Sequence, residues 1–75
     1  MAGHPPIVVH RISPSGGRRV TVRDQIMGLA HSDDQLLEFL RRAGLPDADN
    51  LLDDPTWIEW VGDRPHEYDP LELLP

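Results

Sequence analysis

The sequence of 75 residues predicts a small α+β domain in which one helix covers one face of a small antiparallel sheet. Three observations support this fold class. Two runs of β-branched residues flank a Ser-Pro-Ser-Gly-Gly cluster, a later segment has helical periodicity with capping residues at both ends, and a third β-rich run follows it. We therefore expect a flexible N-terminus over residues 1–6, a single domain over 7–62 and a proline-rich extended tail over 63–75.

The runs IVVHRI and RRVTVR predict an N-terminal β-hairpin. β-branched residues favour extended backbone, and the serine, proline and glycine residues between the runs can supply the positive φ angles of a tight loop. Two registers satisfy the alternation of faces, with paired residue numbers that sum either to thirty or to twenty-nine. The first turns Val8, His10, Ile12, Arg18, Val20 and Val22 to one face, and the second turns Ile7, Val9, Val20 and Val22 inward.

The segment DQIMGLAH after the hairpin shows no clean period. Gly28 within it is typical of a bulge or a turn, and we expect the chain to leave the sheet there. We expect the apolar residues Ile26, Met27 and Leu29 to cover one side of the core.

The segment SDDQLLEFLRRAGLP predicts a helix over residues 33–43. Ser32 can cap its first turn, and Gln35 three residues later completes a capping box. At the other end Gly44 suits the left-handed position after a helix, and Pro46 prevents its continuation. The apolar stripe, which needs a sheet or a second helix to cover it, comprises Leu36, Leu37, Leu40 and Ala43, with Phe39 at its edge.

Two further elements follow the helix. The segment PDADNLLDD predicts a short second helix or helical turn that is anchored by Leu51 and Leu52 and ends at Pro55. The run TWIEWV is rich in residues that favour strands and lies between Pro55 and Gly62, so it predicts a third strand. The predicted order is therefore strand, strand, helix, short helix, strand.

The third strand carries both tryptophans of the chain, and they cannot share a face because strand positions three apart point opposite ways. Ile58 accompanies Trp60, whereas Glu59 accompanies Trp57, and a charged residue seldom faces a core. We therefore expect Trp60 to point inward and Trp57 to lie on the open face of the sheet.

Charge is distributed unevenly along the chain. Residues 1–31 carry four arginines against Asp24, a balance of +3, whereas residues 32–75 carry twelve carboxylates against three arginines, a balance of −9. The net charge of −6 argues against general binding to nucleic acid, because phosphates would repel the acidic part. The uneven distribution favours contact between the two parts, within one fold or between subunits.

The composition also bears on the cellular compartment. The sequence has no cysteine, so it can form neither a disulfide framework nor a thiolate metal site. The apolar run near the N-terminus has three residues, much shorter than the core of a signal peptide or a membrane span. We expect a cytoplasmic protein that makes no contact with a membrane.

No pattern in the sequence predicts catalysis, a cofactor or a metal. The four histidines lack the spacing of metal ligands, and we expect His66 and Glu67 to be solvated residues of the tail. A helix N-terminus explains the adjacent carboxylates at 33–34, and a turn before proline explains those at 53–54. The loop 13–17 does not match a phosphate loop. We therefore expect a non-enzymatic protein without cofactor or metal.

The function that remains is a protein-interaction or regulatory module, which binds a partner or a second copy of itself through the open face around Trp57. A homodimer is one such outcome. An alternative is that the tail covers Trp57, through Tyr68 or Leu71.

A second candidate function is a nucleic-acid-binding accessory protein that uses the basic hairpin residues Arg11, Arg18, Arg19 and Arg23, although no aromatic residue lies among them. The candidate partner-binding residues are Trp57, Val61, Arg11, Arg19 and Tyr68.

Five segments of the sequence are similar to segments of other proteins: HRISPSGGRRVTVR, GLAHS, LLEFLRRAGL, LLDDP and EWVGDRPHEY. Together they resemble small uncharacterised proteins of actinobacteria over residues 9–68. The resemblance implies a bacterial cytoplasmic origin, and it brings no activity and no site residue with it.

Overall fold

The computed structural model describes residues 5–45, 47–62 and 64–69 and confirms an α+β fold. Within these residues a four-stranded sheet, with the strand order β3-β2-β1-β4, packs one face against a helix, α1. None of the helices in the described residues combines the length and the apolar composition that a membrane-spanning segment requires. The elements are β1 (Ile7–Ile12), β2 (Arg18–Val22), β3 (Gln25–Ala30), α1 (Asp33–Arg42), a 3₁₀ turn (Ala48–Asn50) and β4 (Ile58–Trp60).

The β1–β2 hairpin uses both predicted registers, one in each half. Near its open end Ile7 pairs with Val22, a sum of twenty-nine, whereas near the loop Ile12 pairs with Arg18, a sum of thirty. A β-bulge between Val9 and Ile12 separates the two halves. A bulge inserts one extra residue into one strand, which changes the sum by one and leaves two residues opposite a single partner.

The segment after the hairpin is a third strand, so the expectation that the chain leaves the sheet there is wrong. Arg23 and Asp24 both have positive φ angles, 51° and 70°, and form a two-residue turn that returns the chain alongside β2. The predicted bulge at Gly28 is confirmed, because the register between β2 and β3 shifts there. That bulge breaks the alternation of apolar and polar residues, which explains why the strand was missed.

Strand β4 lies on the other edge of the sheet and runs parallel to β1, so the sheet is mixed and not antiparallel as predicted. Ile7 pairs with Ile58 and Val9 with Trp60. Between β3 and β4 the chain passes through α1 and the 3₁₀ turn, and such a crossover allows it to re-enter the sheet beside β1 in the parallel sense. The predicted helical turn before this strand is present, with Leu52 buried.

Helix α1 begins and ends as the sequence predicts, within one residue. The Ser32 hydroxyl oxygen accepts a hydrogen bond from the Gln35 amide at 3.3 Å, and the Gln35 side-chain oxygen accepts one from the His31 amide at 2.7 Å. Gly44 follows the helix with φ 88°. The described core, to which the sheet, the helix and the segments after it contribute, comprises Ile7, Val9, Val20, Val22, Ala30, Leu36, Leu40, Leu45, Ala48, Leu52, Ile58 and Tyr68.

Residues 64–69, which we call the C-terminal strap, are packed onto the domain, so the predicted boundary at residue 62 is wrong for them. Tyr68 belongs to the core with 7% of its surface exposed, and its carbonyl oxygen accepts a hydrogen bond from the Gly17 amide at 2.8 Å. Of the predicted flexible N-terminus over residues 1–6, residues 1–4 lie outside the described residues, as do residues 63 and 70–75 of the predicted tail over residues 63–75.

Candidate interaction surface

One face of the sheet packs against α1, and the opposite face is covered by no described element. Strand pairing defines this second face. Val8 lies between Thr21 and Glu59, and Thr21 pairs in turn with Ile26. The immediate neighbours of Val8 and Thr21 along their strands are buried in the core, so Val8 and Thr21 point away from the helix. Their pairing partners Glu59 and Ile26 lie on the same side of the sheet. We call this surface the open face.

The three large apolar side chains that remain exposed among the described residues all belong to the open face. They are Ile26, Leu29 and Trp57, with 68%, 45% and 37% of their surface exposed. Leu29 pairs with Arg19, whose side chain is exposed, and Trp57 precedes Glu59 by two positions on the same side of the chain. Exposed apolar residues scattered singly need no explanation, so the presence of three on one face is what makes the open face the candidate interaction surface.

The charge of the open face differs from that of the rest of the molecule. The bulge in β1 leaves His10 and Arg11 together opposite Arg19, and the His10 ring contacts the Thr21 hydroxyl at 3.2 Å. Most carboxylates lie instead on α1 and in residues 47–54. The exposed charged residues of the open side and its β2–β3 turn are Arg11, Arg19, Arg23, Asp24 and Glu59.

Arg18 sits on the opposite, core-facing side and is fully buried. Its guanidinium donates hydrogen bonds to the carbonyl oxygens of His10 at 2.7 Å and Val61 at 2.8 Å, and to those of Arg64 and Glu67 at 2.7 Å and 3.0 Å. The last two acceptors belong to the C-terminal strap. Arg18 is therefore a structural residue that fixes the strap to the sheet, and it cannot contact nucleic acid as the second candidate function required.

The C-terminal strap is also held by a histidine between two carboxylates. His66 Nδ1 lies 2.8 Å from Asp33 Oδ2, and Nε2 lies 2.8 Å from Asp53 Oδ1. A neutral imidazole has one N–H, so two carboxylate partners require the charged form. The hydrogen bond with Asp53 raises the pKa of His66; burial opposes this effect, and Asp33 adds to it. His66 therefore stays partly exposed but is held at both ring nitrogens, which the prediction of a solvated tail residue did not include.

Tyr68 completes this cluster. Its hydroxyl donates a hydrogen bond to Asp33, and its ring meets the Trp60 ring edge-on with centroids 6.3 Å apart. Burial, followed by the hydrogen bond with Asp33, raises the pKa of Tyr68 far above its ordinary range. Trp60 itself is half-buried, donates from Nε1 to the Leu52 carbonyl at 3.1 Å and lies beneath the strap. These contacts make Tyr68 a core residue and remove it from the partner-binding set.

The hydrogen bonds around His66 and Asp54 serve the structure of the strap and of the turn before β4. Both nitrogens of His66 are engaged by carboxylates, so the ring has no free nitrogen to act as a base or as a ligand. Asp54 accepts hydrogen bonds from the amide and hydroxyl of Thr56 before β4, and the hydroxyl bond is the main cause that lowers the pKa of Asp54. No group of three or more potential ligands among the described side chains is arranged to hold a metal ion.

A groove of about 500 Å³ lies along β4. Prolines and large apolar side chains form most of its wall, among them Pro55, Ile58 and Trp60. Its two described carboxylates are Asp53, which is bound to His66, and Glu59. The groove offers apolar contact surface beside the open face.

The structure brings together most of the predicted partner-binding residues. Trp57 and Arg19 lie exposed on the open face, Arg11 is exposed at its bulge, and Val61 is half-buried two positions beyond Glu59. The predicted partner-binding set lacks Ile26 and Leu29, because the sequence pattern predicts that both cover the core. The signal that could have found them is the Arg-Asp turn, which starts a hairpin and gives Ile26 the outward phase, together with the bulge at Gly28, which shifts the register and gives Leu29 the same phase. Only Met27 of that group packs against the core.

Comparisons with protein-family models, with curated proteins and with solved structures found no match. The resemblance to actinobacterial proteins stays a prediction.

Proposed function

We propose that this chain is a small non-catalytic interaction module that binds protein through its open face. One observation carries the proposal: all three exposed large apolar side chains of the described residues lie on that face. Burying apolar surface is the main favourable contribution to protein association, and tryptophan and arginine are among the residues most often found at the energetic centre of an interface. The fold supports the open face from behind with a packed core, so the surface is formed before a partner arrives.

The competing function, binding of nucleic acid, has weaker support. Of its four arginines, Arg18 is buried, which leaves Arg11, Arg19 and Arg23. Sheets that read single-stranded RNA stack bases on aromatic side chains of their central strands. The outward positions of β1 and β2 instead carry Val8, Thr21 and charged or imidazole side chains.

Site-directed photo-crosslinking tests the proposal. A photoreactive amino acid at Thr21 samples the centre of the open face, and the same amino acid at Glu38, which is exposed on α1, is the matched control. In cells of origin we expect the Thr21 probe to give a discrete protein adduct that excess unlabelled chain competes away and that the Ile26→Asp substitution abolishes. Equal adducts from both positions, or adducts that a nuclease removes, would reject the proposal.

A further inference from the structure

Strand β4 forms one edge of the sheet, with β1 on its inner side and no strand of the described residues on its outer side. Val9 of β1 lies opposite Trp60, yet its carbonyl oxygen accepts a hydrogen bond from the Val61 amide at 2.8 Å. In a parallel ladder a residue bonds the two neighbours of the residue opposite it, so the backbone of Trp60 faces away from β1. By the same alternation the backbone of Ile58 also faces the outer edge.

Three backbone groups at this outer edge have no partner among the described residues. The Ile58 amide donates to the Asp54 carbonyl at 3.0 Å. The Ile58 carbonyl, and both the amide and the carbonyl of Trp60, form no hydrogen bond within residues 5–45, 47–62 and 64–69. Unpaired groups of this kind allow another extended chain to add to a sheet. The opposite edge is less suited, because the bulge at Gly28 interrupts the ladder of β3.

The apolar groove of about 500 Å³ follows the same outer edge. Ile58 and Trp60 line it from the core side of the sheet, and Glu59 lines it from the open side. Pro55 before β4 and Pro65 beyond it extend the groove past both ends of the strand. Successive side chains of an added strand point to opposite faces, so such a strand contacts the groove on both sides of the edge.

The charge of the groove favours a basic ligand. Glu59 is exposed and forms no ion pair with another described residue, whereas Asp53 is bound to His66. A basic residue opposite Glu59 on an added strand is favoured, because opposite charges across paired strands attract each other. Residues opposite Ile58 and Trp60 are favoured when they are apolar, since they cover the hydrophobic wall of the groove.

From these observations we propose that the outer edge of β4 binds an extended segment of a partner protein, which adds to the sheet as a fifth strand. The segment has apolar residues opposite Ile58 and Trp60 and a basic residue opposite Glu59. It donates hydrogen bonds to the two free carbonyl groups and accepts one from the Trp60 amide. This inference goes beyond the proposed function, because it concerns the sheet edge and not the open face.

An NMR titration of the isotope-labelled full chain with a synthetic peptide tests the inference. The probe is a capped heptapeptide of alternating valine and arginine. Its binding should be saturable and should slow hydrogen exchange of the Trp60 amide roughly tenfold or more, because that amide gains an acceptor. The Val61 amide, which already donates to Val9, is the internal control, and its exchange should change by less than about threefold.

Two modified peptides test whether a ladder forms. N-methylation removes backbone donors without changing the charge, and only alternate residues of an added strand direct their amides to β4. N-methylation of the valines alone and of the arginines alone should therefore differ, with one peptide bound roughly tenfold more weakly than the other. Equal affinities of the two would show attraction to the acidic surface only and would overturn the inference.

Charge reversal on the protein tests the contact with Glu59. Glu59→Lys should weaken binding of the valine–arginine peptide roughly tenfold and should strengthen binding of a matching valine–glutamate peptide. Glu38→Lys, an equal reversal at an exposed position of α1, should change the affinity by less than about threefold. Circular dichroism confirms that both variants are folded.

Three further results would overturn the inference: no saturable binding of the valine–arginine peptide, equal effects of Glu59→Lys and Glu38→Lys, or a Trp60 amide that is already protected in the free chain. In the last case, loss of protection on deletion of residues 70–75 assigns the edge to that segment, and protection that rises with protein concentration assigns it to a second copy. Peptide contacts confined to Thr21 and Ile26 also reject the edge site, but they leave the proposed function of the open face intact.

Discussion

Arg18 shows how a single buried residue can hold two distant parts of a small domain. Its guanidinium presents donors in a rigid planar fork, and four backbone carbonyl oxygens accept from it. The Trp60 ring lies 5.3 Å from the guanidinium carbon and adds a cation–π contact. Because hydrogen bonds to a charged donor contribute more than neutral ones, this residue has a large share in the stability of a domain of this size.

We expect Arg18→Met to lower the free energy of unfolding by about 3 kcal/mol or more, because it leaves buried carbonyl groups without a donor. Urea unfolding followed by circular dichroism measures the loss. Arg19→Met is the matched control on the same strand, and it should change stability by less than about 0.5 kcal/mol because Arg19 is exposed. Hydrogen exchange at the Gly17 amide, which donates to Tyr68 of the strap, should accelerate only in Arg18→Met. Equal losses in both variants would contradict the structural role.

The two tryptophans should respond oppositely to truncation. Trp60→Ala removes a ring that packs against Tyr68 and leaves the Leu52 carbonyl without its donor, so we expect a loss of about 3 kcal/mol or more in a thermal melt. Trp57→Ala should leave the monomer folded, with a loss below about 1 kcal/mol, while it weakens association through the open face. If Trp57→Ala unfolds the chain and Trp60→Ala does not, the assignment of the two faces is reversed.

At the scale of elements, α1 depends on a cap that can be tested directly. Ser32→Ala removes the acceptor for the Gln35 amide, and a lost N-cap costs about 1 kcal/mol. We expect Ser32→Ala to lower the melting temperature. Ser32→Asp retains an acceptor for the Gln35 amide and should not lower it. Ser15→Ala in the β1–β2 loop is a suitable control for the loss of an exposed hydroxyl. An unchanged melting temperature for Ser32→Ala would mean that another group satisfies the helix start.

The C-terminal strap should be pH-sensitive through His66. Its pKa is raised in the folded state, so its contribution to stability is fully present below the unfolded pKa of about 6.5 and is lost as the pH rises through the folded pKa. We expect the stability advantage of the original chain over His66→Asn to disappear with rising pH in urea unfolding series.

An NMR titration of the His66 ring provides the direct measurement. Asp53→Asn should shift its pKa down towards the ordinary value, whereas Asp34→Asn, a neighbouring exposed carboxylate on α1, should have a smaller effect. A ring that titrates at or below its ordinary pKa in the unaltered chain would show that the two carboxylates do not hold it in the charged form.

At the scale of the whole molecule, the charge distribution limits what the chain can bind. The fold buries Arg18 and keeps a net charge of −6, so the exposed arginines of the hairpin are too few to overcome repulsion of phosphates by the acidic surface. In titrations of labelled duplex and single strands at near-physiological salt, we expect no saturable binding tighter than the ~10⁻⁴ to 10⁻⁶ M of non-specific contacts. Sequence-dependent nanomolar binding would restore the nucleic-acid function.

Features that arise from short-range patterns along the chain could be predicted from the amino-acid sequence. The Ser32 cap, the Gly44 terminus, the β1–β2 hairpin and the opposite orientation of the two tryptophans all depend on local periodicity or on a side chain that bonds its own backbone. The open face around Trp57 followed from the same alternation.

The other features could not be predicted, because they depend on residues that are far apart in the chain and meet only in the folded structure. Arg18 bonds carbonyl groups 43, 46 and 49 positions away, and His66 reaches Asp33 across 33 positions. No local pattern encodes such partners, so the sequence alone predicts a surface position for Arg18 and an extended tail for the strap. The parallel β4 was hidden for the same reason: its direction depends on where the crossover through α1 returns the chain to the sheet.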